Sequence, residues 1–207
     1  MGALINLQLN NRMVKQAADQ TIRIVQALRG YGILAPNTEE RVRLRLKESV
    51  AAVLPLFHSQ LRGGTVALHL EELAPAEVLA QPDHLELVWN NLIHNALMAI
   101  PGGGHLRLRF GADGGRAWAE VADSGTEGIP EAILPRLFEP FFTTRAAGQG
   151  IGLGLDICRR IVERYGGRIE VRSRPGHTAF RVWLPLAGLS PHQDDTGHMA
   201  VPLPPYA

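Results

Sequence analysis

Residues 148–155 read GQGIGLGL. Glycines at 148, 150, 152 and 154 leave backbone N–H groups open to anionic oxygens, and the spacing predicts a helix over 152–165 that begins among them. A helix N-terminus carries partial positive charge and unsatisfied N–H donors, so it favours a phosphate-bearing ligand. A glycine repeat alone is weak evidence. No GK[ST] follows, so this is not a Walker loop, and no strand runs directly into it as a dinucleotide fingerprint requires. Its weight comes from three stretches upstream: FEPFFTT (138–144), DSGTEG (123–128) and NNLIHNA (90–96).

Working outward from the glycines, Thr143, Thr144 and Arg145 stand at the base of the loop. Hydroxyls and a guanidinium there suit phosphate oxygens. Phe138, Phe141 and Phe142 are read as anchoring the loop in apolar surface. Asp123 closes a predicted strand. A carboxylate at that place can accept a hydrogen bond from an exocyclic amine such as that of adenine. Gly125 and Gly128 would let backbone approach a base with no Cβ in the way; an ordinary Asp-Ser-Gly turn also fits these residues. Asn91 and Asn95 are four apart and share one face of a helix predicted over 83–99, with Leu85, Val88, Leu92 and Ile93 on the packing face. An amide oxygen is a neutral hard ligand suited to Mg²⁺, which takes phosphate oxygens and waters as its other ligands. Asn95 is the expected metal ligand, and Asn91 supports it or touches phosphate. Thr178 is placed to hydrogen-bond near Asp123, directly or through water, although a strand threonine without a role is as common. Together these residues describe a pocket for ATP with Mg²⁺.

The remaining pattern bounds the architecture. The chain has 207 residues, 45% of them hydrophobic and 20% charged, with a formal net charge of +1. That balance argues against a nucleic-acid partner. The single cysteine, Cys158, rules out an internal disulfide. No apolar run approaches the length of about 18 residues that a membrane span needs. No secretory signal is expected from the N-terminus. The chain is expected to work in the cytoplasm, alone or as part of a longer, membrane-anchored protein. A helix is predicted over 5–30, a connector over 37–42 and one amphipathic helix over 44–61. Strands follow at 65–72, 105–112, 116–123, 168–174 and 178–186, with hairpins at DGG (113–115) and at Pro175-Gly176. Residues 188–207 hold four prolines and read as a flexible tail. The expectation is an α+β fold, a two-layer α/β sandwich whose mixed, mostly antiparallel sheet carries helices on one face, preceded by a helical segment. Its domains are then a helical segment at 1–36 and a catalytic domain at 40–187.

These four stretches, in this order, resemble the N, G1, F and G2 boxes of the catalytic, ATP-binding domain of bacterial sensor histidine kinases. That domain has the Bergerat-type fold of the gyrase, heat-shock chaperone, histidine kinase and mismatch-repair ATPases. FEPFFTTR followed by GQGIGLGL is most similar to kinases of the nitrogen-sensor group. The resemblance covers about residues 40–186. It implies Asn95 on Mg²⁺, Asp123 on the adenine amine, and Gly125, Gly128 and Ile129 beside the base. It further implies Thr143, Thr144, Arg145, Gly148, Gly150, Ile151, Gly152, Leu153, Gly154 and Leu155 around the phosphates, Asn91, Asn95 and Arg145 in catalysis, and Thr178 behind Asp123. Helix 5–30 resembles the second helix of the family's dimerisation and phosphoacceptor domain. The implied activity is transfer of the ATP γ-phosphate to a histidine on such a domain, for relay to a response-regulator receiver domain, within a homodimer.

There are departures. DSGTEG has one residue more between its glycines than the usual D-x-G-x-G. Asp156 stands where a small hydroxyl residue is common. None of the eight histidines is followed by Asp or Glu, as the phosphoacceptor is, so the acceptor is expected on another segment or chain. Hydrolases of the superfamily carry a glutamate four residues before the metal-binding asparagine; Asn91 stands there and cannot act as a base. The alternatives are a non-catalytic nucleotide-binding or partner-docking module of the same fold and, ranked last, a serine kinase of the anti-sigma type, whose relatives usually lack the F box.

Overall fold

The computed structural model describes residues 40–145 and 150–188. The helix expected over 5–30 and the tail beyond Gly188 lie outside the described residues.

Strand β1 (Val42–Arg45) leads into helix α1 (Leu46–Val53), a 3₁₀ turn (Leu54–Phe57) and a short helix α2 (His58–Arg62). Strands β2 (Val66–Glu72) and β3 (Glu77–Ala80) precede the long helix α3 (Pro82–Ala99). The hairpin of β4 (Gly104–Asp113) and β5 (Arg116–Asp123) follows. A second 3₁₀ turn (Glu131–Arg136), helix α4 (Gly154–Arg164) and the hairpin of β6 (Arg168–Arg174) and β7 (His177–Pro185) complete the domain.

Five strands form one sheet in the order β2-β4-β5-β7-β6; β2 runs parallel to β4 and the other pairs are antiparallel. Both hairpin turns follow from backbone chemistry. Asp113 pairs with Arg116 across Gly114 and Gly115, at φ 53 and 75, the positive values that a two-residue turn matched to strand twist demands. Gly176, at φ 80 behind Pro175, does the same between Arg174 and His177.

Alternate residues of the central strands, Leu106, Leu108 and Phe110 on β4, Ala117, Ala119 and Val121 on β5, and Phe180, Val182 and Leu184 on β7, point into one core. Helix α3 supplies Leu85, Val88, Leu92 and Ile93 to it, and α4 supplies Ile157, Cys158, Ile161 and Val162. The result is the expected two-layer sandwich with both long helices on one face. On the other face, Trp118 and Trp183 flank the Arg181 guanidinium, which lies 4.5 and 5.7 Å from their ring centroids and bonds the buried Glu120 at 2.6 Å.

Two expectations fail locally. Residues 44–61 are not one helix: Leu44 and Arg45 belong to β1, and Pro55 breaks the rest into the 3₁₀ turn between α1 and α2. Proline has no N–H to continue the ladder and disfavours helical backbone just before it. The apolar stripe survives the break, since Leu46, Val50, Val53 and Phe57 are all buried. The pairing of β1 with β3, Val42 opposite Ala80, forms a second small sheet that the sequence reading did not contain.

Candidate functional site

The site sits where the C-terminal half of α3, the end of β5, the loop after the second 3₁₀ turn and the start of α4 meet. At its floor, Asp123 is buried at the last position of β5. Its Oδ1 accepts the Gly125 N–H at 2.8 Å, and burial pushes its pKa up to about 6 against the opposing effect of that bond. A Cβ on Gly125 would stand 3.1 Å from the Ala99 carbonyl oxygen, so this glycine lets the loop after β5 close on the end of α3. The Gly125 carbonyl in turn accepts the Gly176 N–H at 2.9 Å.

The longer DSGTEG loop is accommodated at Gly128. This residue takes φ 67, and a Cβ there would lie 2.7 Å from the Arg174 carbonyl carbon. Ile129 then donates its N–H to Ser173 Oγ at 2.7 Å, and Ser173 Oγ shares a 2.6 Å bond with Thr178 Oγ1. Thr178 stands directly opposite Asp123 in the β5–β7 register and is buried. The expected neighbourhood of Thr178 and Asp123 is present, but the threonine hydroxyl bonds Ser173. Ser173 is the residue sequence reasoning missed; a lone small hydroxyl in the arginine-rich strand RIEVRSR was its only signal.

The other side of the site joins three segments distant in sequence. Asn95 Oδ1 accepts a hydrogen bond from Arg145 Nη2 at 3.0 Å, tying α3 to the F-box loop. Asn91, one turn earlier, donates to the Leu87 carbonyl at 2.8 Å, and its Oδ1 lies 2.7 Å from where a Cβ on Gly154 would be. Gly154 is therefore glycine because α3 and the first turn of α4 touch there. Thr143 Oγ1 accepts the Arg145 N–H at 3.2 Å and abuts Gly150, while Thr144 is exposed. Gly152, at φ 71, crosses the backbone of Phe141 so closely that a Cβ would fall 2.4 Å from its carbonyl carbon. Leu153 is buried, and Ile151 and Leu155 pack partly against the core, which fixes the strand of glycines onto the domain. Gly148 lies outside the described residues.

Two side chains, Phe141 and Asp156, behave differently from expectation, while Cys158 packs in its helix as expected. Phe138 packs against the core and Phe142 stacks under Arg136 at 4.4 Å, but Phe141 is 70% exposed and holds φ 64, so it does not anchor the loop. Asp156 is fully buried in the first turn of α4 and pairs with Arg160 at 2.9 Å and Arg159 at 3.3 Å, which offsets the charge expected to disturb a phosphate. Cys158 is buried, its Sγ reaches the Val88 carbonyl at 3.7 Å, and burial pushes its pKa up, so it is a packing residue.

The donor set suits a cation held through a neutral oxygen. The Asn95 carbonyl already accepts from a cationic side chain, and a hard divalent ion uses the same kind of oxygen. Among the described residues there is no cluster of three or more His, Cys, Asp or Glu that could hold a metal by itself. Any metal here would need further ligands from a bound phosphate and from water. No helix among the described residues is long and apolar enough to cross a membrane.

Comparison with known proteins agrees with this geometry. Residues 80–188 match the model of the histidine kinase-, DNA gyrase B-, and HSP90-like ATPase family. Sporulation kinase D of Bacillus subtilis (strain 168) is 34% identical over 170 residues, 80% of this chain and 33% of that protein. The sensory histidine kinase/phosphatase NtrB of Escherichia coli O157:H7 is 32% identical over 186 residues, 84% of this chain and 51% of that one. The chain thus spans from a third to about half of these two relatives. Among solved structures, the catalytic domain of histidine kinase ThkA overlays with TM-score 0.65 and 31% identity, covering 72% of this chain and 97% of that one. ThkA in complex with the response regulator protein TrrA overlays with TM-score 0.66 and 26% identity, covering 82% of this chain and 49% of that one.

Proposed function

The chain belongs to the histidine kinase-, DNA gyrase B-, and HSP90-like ATPase family, and from that premise we propose that it is the ATP-binding catalytic core of a two-component sensor histidine kinase. It transfers the γ-phosphate of ATP to a histidine on a dimerisation domain, for relay to a response-regulator receiver domain, and acts in the cytoplasm within a homodimer. The segment 1–36 supplies part of the dimerisation domain, 40–187 the catalytic domain and 188–207 a tail.

One observation carries this reading. A buried carboxylate, Asp123, ends β5 where the following Gly125 meets the end of α3 at Ala99, one turn beyond Asn95, whose amide bonds Arg145, while Asn91 abuts Gly154 at the start of α4. A buried ionisable group is costly unless a partner satisfies it, and an adenine amine is such a partner. On this reading Asp123 accepts from the amine, with Gly125, Gly128 and Ile129 shaping the backbone beside the base. Thr178, held by Ser173, supports Asp123 from the neighbouring strand. Asn95 is the side chain that would hold Mg²⁺. Arg145, Thr143, Thr144 and the backbone from Gly148 to Leu155 face the phosphates, at the open N–H groups of α4. Mg²⁺ held through Asn95 would supply positive charge that offsets the charge on the transferred phosphoryl group. Asn91 cannot take a proton from water, so the pocket offers no hydrolytic base; it positions the nucleotide, and the acceptor brings its own acid–base chemistry.

Titration of a fluorescent ATP analogue, with and without Mg²⁺, tests the assignment. Wild type binds and Mg²⁺ tightens the complex. Asp123→Asn, which keeps the shape but places an amide against the adenine amine, binds about tenfold or more weakly, as expected for loss of a hydrogen bond to a charged group. Equal affinity of the two proteins would refute the role of Asp123.

A further inference from the structure

The contact between Arg145 and Asn95 has a consequence for how the site is loaded. The guanidinium that reaches Asn95 Oδ1 at 3.0 Å comes from a residue 50 positions away. Its place is fixed from two sides. The Arg145 N–H is held by Thr143 Oγ1 at 3.2 Å, and the stem passes beneath Gly150, where a Cβ would meet Arg145 Cδ at 3.5 Å. The oxygen it occupies is the one the proposed function gives to the metal. Asn91 does not offer a substitute, because its amide is tied to the Leu87 carbonyl and its oxygen faces Gly154.

A Mg²⁺ ion at its usual distance of about 2.1 Å from this oxygen would lie no more than about 5 Å from the guanidinium nitrogen. Arginine stays charged at any working pH, so a dication and this side chain exclude one another unless an anion separates them. A polyphosphate provides that anion, and it also offers the guanidinium a two-pronged acceptor in exchange for the amide oxygen.

We infer that Arg145 stands in for the metal in the nucleotide-free protein: its guanidinium caps the Asn95 carbonyl and exchanges onto phosphate when metal and nucleotide enter together. This rests on the reading of Asn95 as metal ligand and adds to it an order of events. Metal does not load ahead of nucleotide, and Arg145 masks part of the benefit that metal brings, because in metal-free complexes it serves as the phosphates' cation.

The test measures the affinity of a fluorescent ATP analogue in Mg²⁺ and in EDTA for wild type, Arg145→Ala and Asn95→Ala. The quantity read is the factor by which Mg²⁺ tightens binding. Arg145→Ala weakens metal-free binding by about tenfold or more, the loss expected for a charged contact to phosphate. It weakens Mg²⁺-supported binding much less, because the metal then supplies the positive charge that the phosphates otherwise take from the guanidinium, so the factor rises several-fold. In Asn95→Ala the factor falls toward one. An unchanged factor in Arg145→Ala, with both affinities reduced equally, makes Arg145 a plain phosphate ligand and overturns the exchange. A full metal effect in Asn95→Ala removes Asn95 as ligand, and the inference goes with it. Wild type that binds no nucleotide in either condition rejects the parent reading instead.

Discussion

At Asp123, burial and recognition pull in opposite directions. Removal from water favours the protonated acid and lifts its pKa to about 6, whereas acceptance from an adenine amine needs the carboxylate. The unfolded carboxyl titrates near 3.9. Between those two values the folded chain holds a proton that the unfolded chain has shed, so this group's contribution to stability is present at low pH and is lost as pH rises through about 6. Urea denaturation of wild type and Asp123→Asn should show the variant gaining stability on wild type at pH 7, with the gain vanishing near pH 4. Nucleotide affinity should move the other way, weakening in wild type as pH falls through about 6 and staying level in the variant. A wild-type affinity that is flat from pH 7.5 to 5 would detach the carboxylate from recognition. Gly128 offers a second test at this scale, with Gly64 as its control. Both hold positive φ, 67 and 71, but only at Gly128 would a Cβ strike backbone, at Arg174 and Pro175; around Gly64 nothing lies within 4 Å. Gly64→Ala should cost about 1–2 kcal/mol for its left-handed backbone alone. Gly128→Ala should cost clearly more and weaken nucleotide binding too, since it moves the loop between Asp123 and Ile129. Equal losses in urea denaturation would mean that the close approach does not matter.

Helices α3 and α4 form the wall on which the site is mounted, and their packing can be tested at Leu92. It is fully buried, one residue from Asn91 and three from Asn95. Leu92→Ala should cost about 2–5 kcal/mol by denaturant unfolding, the range for a core leucine whose cavity does not collapse. A loss under 1 kcal/mol would mean that α3 is not braced as the structure shows. These elements were legible in the sequence because local chemistry and tertiary packing agree there. The stripe Leu85, Val88, Leu92 and Ile93 has helical spacing, the hairpins carry Gly-Gly and Pro-Gly turns, and the two glycine-bearing boxes border elements, one at the end of β5 and one at the start of α4. What escaped reading was decided between distant segments. Val42–Arg45 and Glu77–Ala80 are four residues each, and neither is a strand until it meets the other. The stripe over 44–61 is real, and periodicity continues across Pro55 because the 3₁₀ turn leaves Phe57 on the buried side. Within the site, Asn91, Asn95, Asp123 and the glycines are proposed from residue chemistry taken together with the family resemblance of the four stretches, since each stretch alone is ambiguous. Their partners could not be read this way: the Arg145–Asn95 bond, Ser173 behind Thr178 and the turning of Asp156 onto Arg159 and Arg160 depend on orientations that a linear pattern does not encode.

For the whole molecule the issue is what the domain does with a bound nucleotide. Among the described residues, the polar side chains assigned to the proposed pocket are amides, hydroxyls, a guanidinium and one carboxylate reserved for the base, so the proposed reading gives none of them the task of activating water. The six histidines among the described residues, His58, His69, His84, His94, His105 and His177, all lack the acidic neighbour of a phosphoacceptor. His84 is buried against the Tyr165 hydroxyl at 2.6 Å, and His69 and His105 face each other at 3.2 Å across β2 and β4. On the proposed function, the domain holds ATP until an acceptor is presented to it. Incubated alone with radiolabelled ATP, the chain should therefore release phosphate slowly and remain unlabelled. Adding a separately purified dimerisation domain with a helical His-Glu or His-Asp acceptor should produce acid-labile, base-stable label on that domain, and Asp123→Asn should abolish it. Rapid phosphate release without any acceptor would contradict a pocket lacking a base. Nucleotide binding with no label on any acceptor domain tried would favour the non-catalytic docking module, since the same residues would then bind ATP without passing it on.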